Sequence, residues 1–156
     1  MLTNIDEASV IQANALFWEQ MLAMRLEPLY MAGEFCVDAG HVLASVQMSG
    51  AWVGRMEVRL SIELAATATA AMLMQPVEEV GAADTLDAVK EIANMIAGTL
   101  KSSLPRPCAM TVPQSSLELA RFCGPPQTGD SLVVAFRHPS GEMMVRVCEE
   151  AMAGNC

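Results

Sequence analysis

The sequence predicts an α+β domain, a mostly antiparallel β-sheet packed with long α-helices. Three observations carry this. Apolar residues recur at threes and fours near the N-terminus and again over residues 84–105, as in helices with one buried wall. Ser49-Gly50-Ala51 separates two strand-like runs, a hairpin signal. The last third of the chain reads as strands and turns. The order is helix, strands, helix, helix, strands, with no internal repeat, and residues 1–156 are read as a single domain.

Taken in order, Asn4 to Glu27 reads as the first helix, with Asn4 and Glu7 as a capping box and Pro28 closing it. Its stripe is Ala8, Ile11, Ala15, Trp18 and Leu22, widened by Val10, Phe17, Met21 and Met24. So broad a surface predicts burial against both a sheet and another helix, with Trp18 in the core. Glu34 to Asp38 is a short strand, and His41 to Met48 and Trp52 to Leu60 are the arms of the hairpin. Gly54 inside the second arm marks a bulge or a close backbone approach. Ser61 caps a helix running to about Met74, whose Ala-rich surface permits close packing. Val77 to Ala83 is a connector with Glu78 and Glu79 as solvated surface. After Pro105 a strand is expected near Cys108 to Val112, then a loop over Gln114 to Thr128 with a helical turn at Ser116 to Arg121. Asp130 to Arg137 is nearly continuously apolar, the pattern of a strand buried on both faces. Glu142 to Glu149 is the last strand and Ala151 to Cys156 a tail.

Between connector and strand lies the most informative stretch, Asp84 to Pro105. Asp84 is expected to cap its N-terminus, and Pro105 blocks its continuation. Leu86, Val89, Ala93, Ile96, Leu100 and Leu104 form one wall. At about 100° per residue, Asp87, Glu91, Asn94, Gly98 and Lys101 fall on the opposite one. A merely solvated wall would favour Glu and Lys pairs. Here stand an Asn, costing a few tenths of a kcal/mol against Ala, and a Gly, costing about 1 kcal/mol.

Composition excludes several classes of function. Hydrophobic residues are 53% of the chain, which excludes disorder. A net charge of −9 argues against nucleic acid and anionic membranes as partners. Thirteen Met against four Phe suggest a core of adaptable side chains. Five cysteines show no CxxC or Cys/His spacing and are expected to be reduced, buried thiols in a cytoplasmic protein. Asp6 and Glu7 interrupt any signal peptide, and Leu64 to Met74 is too short to span a bilayer. His41 and His138 have no acidic or cysteine partner at ligand spacing, and no serine elbow, P-loop, GxGxxG or HExxH is present. No metal site and no self-contained hydrolytic constellation are expected.

Glu91 to Gly98 (EIANMIAG), with Asp87 before it, resembles the signature helix of the CheC/CheX/FliY phosphatases of bacterial chemotaxis. A single copy is similar to the CheX-like branch. The tight hairpin with its strand glycine and the sequence Thr111-Val112-Pro113 extend the resemblance. It implies a CheC/CheX-like fold and an enzyme that accelerates hydrolysis of the aspartyl phosphate on a CheY-like response-regulator receiver, in chemotaxis or two-component signalling. It assigns the positioning of the attacking water to Asn94 and a salt bridge with the receiver's lysine to Glu91. Asp87 becomes peripheral support, and Gly98 lets the partner come close. No cofactor is bound by the chain itself, Mg²⁺ being supplied by the receiver, and a homodimer joined through the sheets is implied. A non-catalytic receiver-binding module with the same fold is the alternative. A structural subunit of a larger signalling assembly is a third reading.

Overall fold

A computed structural model describes residues 4–30, 35–124, 127–128 and 130–150. Glu34 and the tail Ala151 to Cys156 lie outside the described residues. Three helices are present among them: α1 (Glu7–Ala15), continued by a π-helical stretch Leu16–Met21; α2 (Ile62–Leu73); and α3 (Ala82–Lys101). The strands are β1 (Glu27–Leu29), β2 (Phe35–Val37), β3 (His41–Gly50), β4 (Gly54–Ser61), β5 (Cys108–Met110), β6 (Gln114–Glu118), β7 (Phe122–Gly124), β8 (Gln127–Thr128), β9 (Ser131–His138) and β10 (Gly141–Glu149). The main sheet runs β1-β9-β10-β4-β3-β5, with β6 also on β3 and β8 on β9, and β2 pairs with β7 in a separate ribbon. Every pairing is antiparallel. This is the predicted α+β architecture.

The helices cover one face of the sheet. Val42, Ala44, Val46 and Met48 of β3, Met56, Val58 and Leu60 of β4, and Met143, Val145 and Val147 of β10 alternate inward and are buried against them. The β2–β7 ribbon covers part of the other face, where Phe35 and Val37 pack on Val133, Ala135 and Met144. Six consecutive residues of β9, Ser131 to Phe136, are buried because helices lie on one side and the ribbon on the other. The continuous apolar run therefore has the cause expected of it.

The first helix departs from expectation at both ends. Asn4 has a left-handed φ of 70° and its amide donates to the Ser103 carbonyl (3.4 Å), so the helix starts later. Asp6 is the N-cap, accepting from the backbone N–H of Ser9 (2.8 Å) and from its hydroxyl (2.6 Å). These bonds, the side-chain one foremost, lower the Asp6 carboxyl below its ordinary pKa. The helical run ends near Leu22, and Glu27–Leu29 is not helical: it pairs with Arg137, Phe136 and Ala135 as an edge strand that tolerates Pro28. The π-helical stretch also shifts the helix register, since each i→i+5 turn takes an extra residue. Val10, Phe17, Trp18 and Met24 are buried and Ile11 and Leu22 pack on the core as expected, whereas Ala8 and Met21 are exposed and Ala13 and Asn14 take buried positions. Trp18 is in the core; its indole donates to Asn14 Oδ1 (3.2 Å), whose amide donates to the Val10 carbonyl (2.9 Å).

Two further expectations are overturned. Gln114 to Thr128 holds three short strands rather than a loop with a helical turn. Residues Gln114 to Glu118 run along β3 from Ser45 to His41, because a free ladder of β3 backbone groups is available to them. The thiols of Cys36 and Cys123 are not free: they form a disulfide across β2–β7, where the two residues are directly paired (Cα–Cα 4.1 Å). A separation of 87 residues carries no spacing motif, so only strand pairing brings them together. Cys108 and Cys148 are free.

Ser61 caps α2 as read, accepting from Leu64 N–H (3.4 Å). Gly54 is a close approach: a Cβ there would run into the Cys148 carbonyl and the Trp52 ring. Trp52 is held by its indole donating to Glu149 (2.7 Å) and cannot swing away. Gly54→Ala should lower the unfolding free energy by about 1–3 kcal/mol, the usual cost of overpacking. Urea unfolding checks this, with an unchanged midpoint as the contrary result.

Candidate functional site

The candidate site is the solvent wall of α3. Gly81 is the N-cap of this helix, and Asp84 stands three positions inside, its carboxylate accepting from Gly81 N–H (3.3 Å). Asp84 is thus not the cap; it reaches back to the cap residue, the second half of a capping box. The helix ends at Lys101, and the Ser102 hydroxyl donates to the Thr99 carbonyl (2.6 Å) before Pro105 turns the chain. Val89, Ala93, Ile96 and Leu100 are buried as predicted, joined by Ala88, Ile92 and Ala97, while Leu86 packs against the core half-buried. Each large apolar side chain on this wall stabilises the fold by roughly 1.5–3 kcal/mol. Together they far outweigh the helix cost of Asn94 and Gly98.

The opposite wall carries the predicted residues. Asp87 and Glu91 are exposed, Asn94 is half-buried and Gly98 is exposed. Glu91 and Asn94 are about 4.5 Å apart along the axis, on adjacent positions of one face. Asp87 is engaged with Lys90 (3.3 Å), an exposed pair of small energetic weight. Among the described residues neither the Glu91 nor the Asn94 side chain has a hydrogen-bond or ion-pair partner. A carboxylate and a carboxamide therefore stand side by side, uncommitted to the fold. Beyond Gly98 the face opens into a depression of about 610 Å³ bordered by Lys101, Ser102, Arg106 and Pro107.

Gly98 has no reason inside the chain. A Cβ placed on it meets nothing within 4 Å, so neither crowding nor backbone conformation requires a glycine. Gly98→Ala should leave the fold intact and raise its stability by up to about 1 kcal/mol. Thermal unfolding tests this; a destabilised variant would show that the fold itself needs the glycine.

The other singled-out residues are structural. His41 is buried at the start of β3 with Nδ1 3.1 Å from the Asp38 carbonyl, and His138 Nδ1 accepts from Ser140 N–H (3.0 Å) in the β9–β10 turn. Thr111 ties the end of β5 to β3: its hydroxyl accepts from Gln47 N–H (3.0 Å) and its N–H donates to the Gln47 carbonyl (2.9 Å). Among the described residues no group of three or more His, Cys, Asp or Glu could hold a metal ion, and no helix is long and apolar enough to cross a membrane.

The sequence reading passed over one charged cluster. On the sheet face away from the helices, Glu57 is surrounded by Arg59 (3.5 Å), Arg55 (3.7 Å) and Arg146 (4.0 Å), and the Arg59 guanidinium lies over the Phe122 ring at 3.7 Å. Burial pushes Arg59 below its ordinary pKa, and Glu57 opposes that. Its signal was the alternation Arg55, Glu57, Arg59 along one strand. The cluster is separated from the α3 wall by the sheet.

Comparison with known proteins bears on this geometry. A family model described as "Chemotaxis phosphatase CheX" matches residues 42–136, which take in all of α3. No curated protein matches the sequence significantly. Among solved structures, the chemotaxis protein CheX from Vibrio vulnificus is similar at 20% identity and a TM-score of 0.76, over 96% of this chain and 100% of that one. CheX from Desulfovibrio desulfuricans is similar at 23% identity and a TM-score of 0.70, over 92% and 97%. The CheX chain of the CheX–CheY–BeF3–Mg²⁺ complex from Borrelia burgdorferi is similar at 17% identity and a TM-score of 0.69, over 96% and 100%. At these identities the structures establish a shared fold, and the sequence match establishes the family. The chain belongs to the chemotaxis phosphatase CheX family.

Proposed function

We propose that this protein accelerates hydrolysis of the aspartyl phosphate on a CheY-like receiver domain, in the cytoplasm where such receivers signal. The observation that carries the reading is the pairing of Glu91 with Asn94 on an exposed helix wall, neither side chain being engaged by the described residues of the chain. Family membership and the CheX–CheY complex of a relative support the choice of partner.

An acyl phosphate is an activated mixed anhydride whose slow step is placing water in line with the P–O bond. The receiver's Mg²⁺ supplies charge neutralisation at the phosphoryl group. This chain supplies position. The Asn94 amide accepts a hydrogen from the attacking water and can donate to a phosphoryl oxygen, without titrating near neutral pH. Water adds to phosphorus as the bond to the aspartyl oxygen breaks, leaving a carboxylate and inorganic phosphate. Glu91 pairs with the receiver's lysine and sets the depth at which the amide sits. Asp87, held by Lys90 in the free chain, supports the rim, and Gly98 removes the side chain that would keep the partner away.

Phosphate release from an acetyl-phosphate-loaded receiver with Mg²⁺, with and without this protein, tests the reading. Asn94→Ala should cut the stimulated rate by about 10²–10³ and leave receiver binding unchanged. Glu91→Ala should weaken binding, and Glu91→Lys should weaken it further, because the reversed charge faces a lysine. Binding without any stimulation by the wild type would make the protein a receiver-binding module and not an enzyme.

We also propose that two copies pair through strand edges and the first helix, leaving the α3 wall open. Exposed apolar residues support this where the sheet borders end: Tyr30 after β1 is 77% exposed and Leu119 after β6 is 77% exposed. Sedimentation at micromolar concentration should give twice the 16.7 kDa chain mass. A clean monomer, or a dimer that covers Asn94, is the contrary result.

A further inference from the structure

At the N-terminal end of α3 the fold leaves a second feature, an apolar cavity of about 300 Å³. Val42 of β3, Ile62 and Ala66 of α2, Leu86 of α3, Val80 before it and Leu117 of β6 supply its walls. It opens to solvent, since Ile62 is 43% exposed and Leu117 50% exposed at its margin. Its volume is at the small end of ligand clefts, room for one bulky side chain and not for a large cofactor. Filling it would cover apolar surface that the chain leaves wet.

The charged side chains nearest the walls along the chain are acidic. Glu63, Glu78, Glu79 and Asp84 each lie within two residues of a wall residue along the chain, and no Lys or Arg does; Asp87, also adjacent, is paired with Lys90 (3.3 Å). The first four are all exposed. The helix N-terminus here does not invite an anion, because the Asp84 carboxylate already takes the Gly81 N–H. Acidic ligands and anionic membrane surfaces are therefore repelled, and a cationic flank is attracted.

We propose that this cavity docks a protein segment that inserts one bulky apolar side chain and flanks it with Lys or Arg. The apolar side chain takes the cavity; the flanking cations meet the acidic margin and set orientation and on-rate. Thr85 and Leu86, at the N-terminal end of α3, line the cavity, and Glu91 and Asn94 stand further along the same helix. The site is a recruitment surface, separate from the chemistry proposed above and independent of it.

Selection from a phage-displayed random heptapeptide library on the whole protein tests the inference. Enriched peptides should carry an aromatic residue or Leu flanked by Lys or Arg. Titrated as synthetic peptides, they should bind at least about 10-fold more weakly to Ala66→Phe, which fills the cavity. Glu63→Lys and Glu79→Lys, on exposed side chains that leave the fold alone, should each weaken binding roughly 2- to 5-fold and reduce its salt dependence. These two variants decide the matter if Ala66→Phe does not fold. No enrichment, enrichment of acidic peptides, or binding indifferent to both charge reversals would overturn the proposal.

Discussion

The packing of α3 against the sheet is the contact on which the candidate site depends. Val89, Ile92, Ala93, Ile96 and Leu100 are buried where this helix meets β3, β4 and α2. Each residue turns the helix by about 100°. A slip of one position would bury a charged or amide group and expose an Ile, at a cost of several kcal/mol. The core therefore aims Glu91 and Asn94 outward and holds them there. For the proposed reaction, the rigidity of the wall is what would let a single amide act as a positioning group, since an error of an ångström in placement costs much of the benefit.

The far side of the sheet is built on different terms. There the β2–β7 ribbon, closed by the Cys36–Cys123 disulfide, covers Val133, Ala135 and Met144, and Phe122 takes the Arg59 guanidinium. Glu57 is shared among three arginines, so most of the cost of burying its charge is offset. Helices on one side and a ribbon on the other leave β9 and β10 at the centre with little water on either face. The absence of a sharp apolar alternation in Ser131 to Phe136 follows from that placement.

One helix thus serves two surfaces of unlike chemistry. Its first turn, beside the apolar cavity, is acidic and already capped by its own Asp84. Its middle carries a carboxylate and an amide free for a partner, and its end passes Gly98 into a depression bordered by Lys101 and Arg106. The sign of charge changes from acidic to basic along the helix, in the sense that complements the helix macrodipole.

How far the sequence reached differs between elements. The walls of α3, the cap of α2, the hairpin with Gly54 and the twofold burial of β9 were all legible, because each rests on local periodicity or on a residue whose conformation is its own signal. The side-chain order Asp87, Glu91, Asn94, Gly98 was legible for the same reason: a helix converts spacing into a face. The first helix was misread at its start because Asn4 is held by a carbonyl 99 residues away, and at its end because Glu27–Leu29 pairs with β9 as a strand. β6 and β7 are short strands with no alternation of their own; β3 and β2 make them strands by offering unpaired backbone groups. The Cys36–Cys123 bond, the Glu57 cluster and the cavity beside Leu117 likewise exist only once distant segments are in register. Local chemistry is written along the chain, whereas pairings between remote segments are decided by which backbone groups and apolar faces remain unsatisfied when the core closes.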